Sequence, residues 1–453
     1  METAMYMRRE VIGDSKVNVT EQPVDVLPLA RAIAEAKNMK DNDEAFMIIN
    51  LDALYERFKL WKRELPQIEP FYAVKCNSDE TMVQALAALG VGFDCASREE
   101  IDIVMRMGVA QERIIYANPC KTRSFIAHAE EKGVTMMTFD NAEELEKIAK
   151  HHKCPELILR IAVSDPTATC PLNLKFGAEP VKQAPELLKR AADLGIAVIG
   201  VSFHVGSGCN DPSAYRVALG HARNLFDLGL GLGHKMEIVD IGGGFPGGEH
   251  HTPFEQIAAL IRSAVGEFFP EPEVRLIAEP GRFFAARPFT LVANVIAHTA
   301  VPAEKITKNA CDAAATGHMY YINDGVYGSF NCILFDHAHP TGRPLFDIEG
   351  EKYPSTIWGP TCDSLDQIED KKMMRALDVG DWLIYEVRYI CRSIIDRYRT
   401  PTIDNRPDDR NLIARSLQDM GAYTCAASTT FNGFQRPTPI YVIGERTWKA
   451  LGM

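Results

Sequence analysis

The chain has no apolar run approaching the roughly 18 residues that a membrane-spanning helix needs. It has no surplus of positive charge either. Its 49 lysines and arginines face 61 acidic residues, for a formal net charge of −12, which argues against a nucleic-acid partner. The opening METAMYMRRE lacks the apolar core of a secretory signal. Cysteines number eleven, an odd count, and they are scattered without the paired spacing of a zinc site. That usage suits a reducing compartment better than a disulfide framework. No low-complexity tract stands out, and no internal repeat shorter than a strand-helix unit. These absences leave a water-soluble, cytoplasmic protein as the expectation, with neither membrane nor nucleic acid as partner.

With 453 residues, 46% of them apolar, the chain can bury sizeable cores in two domains. From Phe71 to Arg282, short apolar or β-branched runs alternate with longer amphipathic segments. The runs are FYAVK, GFDCA, IIYAN, TMMTFD, LILRI, VIGVSFH, EIVDIGG and RLIAEP. Parallel strands need helical crossovers, and eight such units close on themselves, so the pattern predicts a (β/α)8 TIM-like barrel. Chemistry in that fold gathers at the C-terminal ends of the strands, where Lys75, Asp94, Asn118, Asp140, Arg160, His204, Gly242 to Gly244 and Glu279 fall. A single polar residue at a strand end is usually a turn former or a helix cap; eight in register are hard to explain that way. After Arg282 come FTLVANVIAHTA, YYINDGVYG, CILFDH, STIWG, DWLIYE and PIYVIG, read as strands of a mostly β domain. The expected division is an N-terminal segment 1–44 packing with the β domain, a barrel 45–283 and a β domain 284–453.

Lys75 closes an apolar run and would project into whatever cavity that strand faces; such an amine can form a Schiff base. DIGGGFPG, from Asp240 to Gly247, puts three glycines after a strand, where backbone N–H groups can approach an anion. HVGSG adds Ser207 as a second phosphate donor. In EPGR, Arg282 suits a phosphate through its planar fork, and Glu279 suits a pyridine nitrogen that must stay protonated. Together these are the parts of a pyridoxal 5'-phosphate site. His337 and His339, and the doublets His151-His152 and His250-His251, have metal-ligand spacing but no third ligand set, so no metal is expected. Asn118, Cys120 and Asp140 are read as shaping barrel loops.

FYAVKCN, GFDCAS, HVGSGC, DIGGGFPG, EPGR, NDGVYGSFNCILFDHAHP, WGPTCDSLD and GAYT with FNGFQRP resemble the eukaryotic ornithine decarboxylases, barrel-type decarboxylases dependent on pyridoxal phosphate. The resemblance runs from about Asp43 to Gly444 with one interruption. It implies a homodimer with two shared active sites, L-ornithine as substrate and putrescine as product. By the same resemblance Lys75 holds the cofactor covalently, His204 stacks on its ring, Glu279 binds the pyridinium, and Asp94 and Arg160 support the network beside the ring. Ser207, Gly242, Gly243, Gly244, Arg282 and Tyr423 take the phosphate. Asp336 receives the distal amine of the substrate, and Asp363 approaches it from the other subunit. Cys362 returns a proton to the product, and Phe335, Tyr327 and Phe431 complete the substrate end. Antizyme, bound through the region 122–150, is a further implied partner. The competing readings are a non-catalytic decoy of the antizyme-inhibitor type, and a decarboxylase of the same fold acting on lysine, arginine or diaminopimelate.

The chain departs from the family at Val387 to Gln418, 32 residues with seven arginines, no lysine and no glycine. The segment begins with a valine, whose codons start GT, and ends with a glutamine, which CAG encodes. It is read as a retained intron translated in frame, with a lineage-specific loop as the alternative. Phe335 stands where the family suggests tyrosine, which removes a hydroxyl from the pocket. The C-terminal degradation tail of the vertebrate members is expected to be absent.

Overall fold

The computed structural model describes residues 7–163, 175–248, 252–346, 348–385 and 420–452. The segment 387–418, together with His250 and His251, lies outside the described residues.

Eight parallel strands close into a barrel: Ile68–Ala73, Gly92–Cys95, Ile114–Tyr116, Met136–Phe139, Glu156–Ile161, Val198–Phe203, Ile238–Asp240 and Arg275–Ala278. Each is one of the eight runs read from the sequence. They are apolar at nearly every position because both faces are covered, by helices outside and by side chains within. Phe71, Ile115, Met136, Ile158, Ile199, Ile238 and Ile277 form a separate buried cluster drawn from seven of the strands, which fills the interior. The helices between them start where their caps dictate. Asp79, Ser97 and Asn141 each accept a backbone N–H in the first turn of the helix that follows.

A second sheet of ten strands carries the rest of the chain. Phe289–Pro302 leaves the barrel and pairs antiparallel with Phe46–Asn50, Thr316–Ile322 and Trp382–Tyr385. The chain ends meet there. Thr438–Gly444 lies parallel to both Ser15–Thr20 and Phe46–Asn50, so the N-terminal strands are built into this sheet. Phe46–Asn50 precedes the first barrel helix and also belongs to it.

Two local readings need correction. Lys75 does not end the first strand; it sits in a 3-10 turn, Val74–Cys76, just beyond it. CILF is not a strand but a single helical turn, Cys332–Phe335, continuing the 3-10 turn Ser329–Asn331. A four-residue apolar run carries no period that separates the two. A strand absent from the sequence reading, Gln367–Arg375, pairs with Lys352–Trp358 at the rim of the sheet, where polar side chains face water.

Arg57 ties together segments at the C-terminal end of the barrel strands. From the helix Leu51–Glu64 it donates to Phe283 O at 2.8 Å and Pro246 O at 2.9 Å, its guanidinium 3.7 Å from the Phe283 ring centroid. Pro246 lies in the loop after the seventh barrel strand, and Phe283 in the helical turn Arg282–Ala285 after the eighth. Replacing Arg57 with methionine strands both and is expected to cost about 3 kcal/mol in urea unfolding. An unchanged midpoint would show that the two bonds contribute nothing.

Candidate active site

The turn after the first strand carries Lys75, and the register that sets Ala73 against Asp94 brings the two side chains together. Lys75 Nζ donates to Asp94 Oδ2, while Asp94 Oδ1, fully buried, has no protein partner. Burial opposes the charge on Lys75, but the carboxylates of Asp94 and Glu279 outweigh it and hold the ammonium above its ordinary range. The side chain keeps 43% of its surface open, facing the cavity that it lines.

Glu279 follows the eighth strand, and its N–H donates to Gly242 O at 2.7 Å. Burial, then the charges of Asp240 and Asp94, push its carboxyl well above the usual range; burial raises Asp240 to about 6. A buried acid so disposed suits a cationic N–H. His204 is held neutral by burial and by the positive charges of Arg160 and Lys75. Its Nδ1 accepts from Gly206 N at 3.0 Å, which places the ring proton on Nε2. A Cβ on Gly243 would fall 2.7 Å from His204 Nε2, so only glycine lets this loop lie against the imidazole. Gly244 has φ +108°, a backbone that side chains avoid. Gly242 packs beneath the loop, where a Cβ would lie 2.1 Å from Phe203 O.

Arg282 projects from the turn after Glu279. Its Nε and Nη2 donate to Ser207 Oγ at 3.3 and 3.0 Å, and its fork grips Asp336 at 2.9 and 2.7 Å. Burial would lower its affinity for a proton, but Asp336 outweighs that and holds it above the ordinary range. The residue expected at the substrate amine thus also steadies the arginine expected at the phosphate. The guanidinium lies 5.1 Å from the ring centroid of Tyr423, which itself has φ +55°.

These groups border a cavity of about 480 Å³ lined by Lys75, Arg160, His204, Ser207, Glu279, Phe335, Asp336 and Tyr423. Ala96, Ala117, Asn118, Pro119, Lys175, Phe176 and Ala427 complete its wall. Beside it a recess of about 20 Å³ is bordered by Gly243, Gly244, Ser207, Arg282 and Tyr423. Sequence reading passed over Asp240, although it stands in DIGGGFPG, and Phe176, which no motif marks. Asp140 does shape a loop: its Oδ2 accepts Gly177 N at 2.8 Å, next to Phe176.

Four expected residues lie elsewhere in the chain's own fold. Tyr327 donates to Asp363 and faces Phe431 across 4.3 Å between ring centroids. Cys362 is exposed. None of the four lines the Lys75 cavity. Among the described residues no three metal-ligating side chains converge. No helix among them is long and apolar enough to cross a membrane.

The arrangement fits pyridoxal phosphate: an amine in the cavity wall, a buried acid for a pyridinium, an unpartnered Asp94 oxygen, and a glycine and arginine cradle for an anion. Residues 51–286 match the family described as pyridoxal-dependent decarboxylase, pyridoxal binding domain. The chain is 61% identical to the ornithine decarboxylase of Caenorhabditis elegans over 99% of each chain. It is 42% identical to antizyme inhibitor 2 of Xenopus laevis, covering 97% of this chain and 90% of that one. The crystal structure of the arginine decarboxylase of Paramecium bursaria Chlorella virus superposes with a TM-score of 0.78 at 32% identity, covering 92% of this chain and 100% of that one. On sequence, fold and site together, the chain belongs to the pyridoxal-dependent decarboxylases.

Proposed function

We propose that the chain converts L-ornithine to putrescine and CO2, as a homodimer in the cytoplasm. The observation that carries this reading is the presence, in one cavity, of the Lys75 amine, an anion cradle and the Asp336 carboxylate, which is bonded to Arg282 of that cradle. Pyridoxal phosphate, when bound, supplies the sink for the electron pair left by departing CO2. Lys75 Nζ anchors it. Glu279 would hold a proton at the ring nitrogen, and neutral His204 would border the ring without adding charge. Ser207, Arg282, Tyr423 and the N–H groups of Gly243 and Gly244 bind the phosphate, with Asp94 and Arg160 beside the ring. Ala96, Ala117, Pro119 and Phe176 supply apolar wall, with the cations of Arg160 and Lys175 over the Phe176 ring at 5.5 and 4.9 Å.

Asp336 receives the distal ammonium, joined by Asp363 of a second copy. The positions of Cys362, Asp363, Tyr327 and Phe431 away from their own Lys75 support a site completed by the partner subunit. There Cys362 Sγ delivers the proton to the carbon that lost CO2. Phe335, which lines the cavity and is 68% exposed, fits the same junction. Two acids at the amine end, one of them paired with Arg282, favour a plain diamine terminus over diaminopimelate. One methylene separates ornithine from lysine, worth about 1 to 3 kcal/mol, so slow turnover of lysine is expected.

The decoy reading has a specific support in the likeness to antizyme inhibitor 2, and antizyme binding through the region 122–150 remains compatible with an active enzyme. Against a purely non-catalytic role stands the retention of Lys75 paired with Asp94 in the field of Glu279, and of Arg282 held on Ser207. The test is CO2 release from L-ornithine and L-lysine with added pyridoxal phosphate, for the full chain and for one lacking Val387 to Gln418. Release from ornithine by both makes the segment a tolerated loop. Release only by the shortened chain fits a retained intron, and silence from both returns the decoy.

A further inference from the structure

The turn that carries Lys75 and the turn that carries Tyr423 are sewn to each other. Tyr423 N donates to Cys76 O at 2.9 Å, and one residue on, Asn77 Nδ2 donates to Gly421 O at 2.9 Å. Asn77 is 1% exposed, and its own position is fixed twice: Tyr72 Oη donates to its carbonyl at 2.7 Å, and its Oδ1 accepts Asp79 N at 3.0 Å. Gly421 in turn donates to Ala286 O at 3.2 Å, and a Cβ there would lie 1.9 Å from Ala285 O. The segment 420–424 therefore seats on the barrel through backbone groups, with Asn77 as the side chain that reaches across.

Tyr423 needs such a seat. A tyrosine at φ +55° stays there only when its neighbours over-determine the backbone. Its phenol borders both the main cavity and the small recess beside Arg282. We propose that Asn77 is a positioning residue that acts through Gly421 on Tyr423, setting the phenol at the phosphate end in register with the Lys75 amine. Asn77 does not line the Lys75 cavity, so its effect on a ligand there has to pass through Tyr423. The inference rests on the proposed cofactor roles of Lys75 and Tyr423.

The test is the affinity for pyridoxal phosphate, read from the absorbance of the bound cofactor, with kcat and KM measured beside it. Asn77→Ala removes the donor. Asn77→Asp keeps the shape but presents a carboxylate oxygen to Gly421 O, and serves if the alanine variant fails to fold. Loss of one buried hydrogen bond corresponds to roughly a tenfold weaker cofactor affinity. Tyr423→Phe, which weakens binding by itself, is expected to add little in either Asn77 background, because the phenol is already misplaced. KM for ornithine should change less than cofactor affinity. Unchanged affinity in a folded Asn77 variant, or losses that simply multiply with Tyr423→Phe, would overturn the proposal. A wild-type chain that binds no pyridoxal phosphate would instead overturn the reading beneath it.

Discussion

Lys75→Ala lowers CO2 release from ornithine by roughly a thousandfold or more, the scale expected when a covalent anchor and a proton carrier are lost together. The structure gives the reason in charge. Lys75 is the cation that Asp94 and Glu279 share, and both acids are buried beside it. Without it the site keeps two acids and loses its amine, so the cofactor has neither its attachment point nor a compensating charge. Binding through the phosphate end is expected to survive in part, because Arg282 and Ser207 contact each other directly. The expected signature is therefore separable: near-total loss of turnover, loss of the absorbance of covalently bound cofactor, and residual affinity. Lys75→Arg restores charge next to Asp94 but not the nucleophile, so it is expected to recover stability without recovering activity. An alanine variant retaining a tenth of wild-type turnover would remove Lys75 from the chemistry.

How much of this could be read beforehand depends on whether the signal was local. The eight barrel strands were legible because a strand buried on both faces must be apolar throughout, as Ile114–Tyr116 is. The glycines of DIGGGFPG were legible for a related reason, since close approach of backbone forbids a Cβ. Gln367–Arg375 was not legible, because a rim strand keeps its charged side and loses the period that marks a strand. The pairing of Arg282 with Asp336, 54 residues apart, is a fact of the tertiary fold, and composition gives no hint of it. The same holds for Asp240: its place in a motif was plain, but its electrostatic coupling to Glu279 appears only when the seventh and eighth strands lie side by side. Asn77 stood in FYAVKCN in full view, yet its partner Gly421 lies beyond the 387–418 segment. That clamp gives a physical reason why Tyr423 can hold its place whatever occupies the chain between Glu386 and Asp419.

Glu279→Gln is expected to lower kcat by roughly a hundredfold to a thousandfold, the range for removing one preorganised electrostatic partner of the reacting group. Glutamine keeps the size and can still accept a hydrogen bond, but it cannot carry the negative charge that favours a protonated ring nitrogen. Cofactor affinity should fall less than kcat, because the phosphate grip is untouched. Stability should move the other way. In the folded chain Glu279 and Asp240 bind protons more readily than unfolded carboxyls, which titrate near 4, with Asp240 at about 6 and Glu279 well above its ordinary value. The folded state then holds more protons than the unfolded one, so these two groups make stability fall as pH rises from about 4 through those raised values. Removing the Glu279 carboxyl removes its share of that loss. Cofactor-free Glu279→Gln is thus expected to melt at or above the wild-type temperature at pH 7, with the difference closing as pH approaches 4. Loss of both turnover and neutral-pH stability would mean that Glu279 is a structural acid. Loss of turnover with a gain in stability would identify a charge that the fold tolerates because the chemistry needs it.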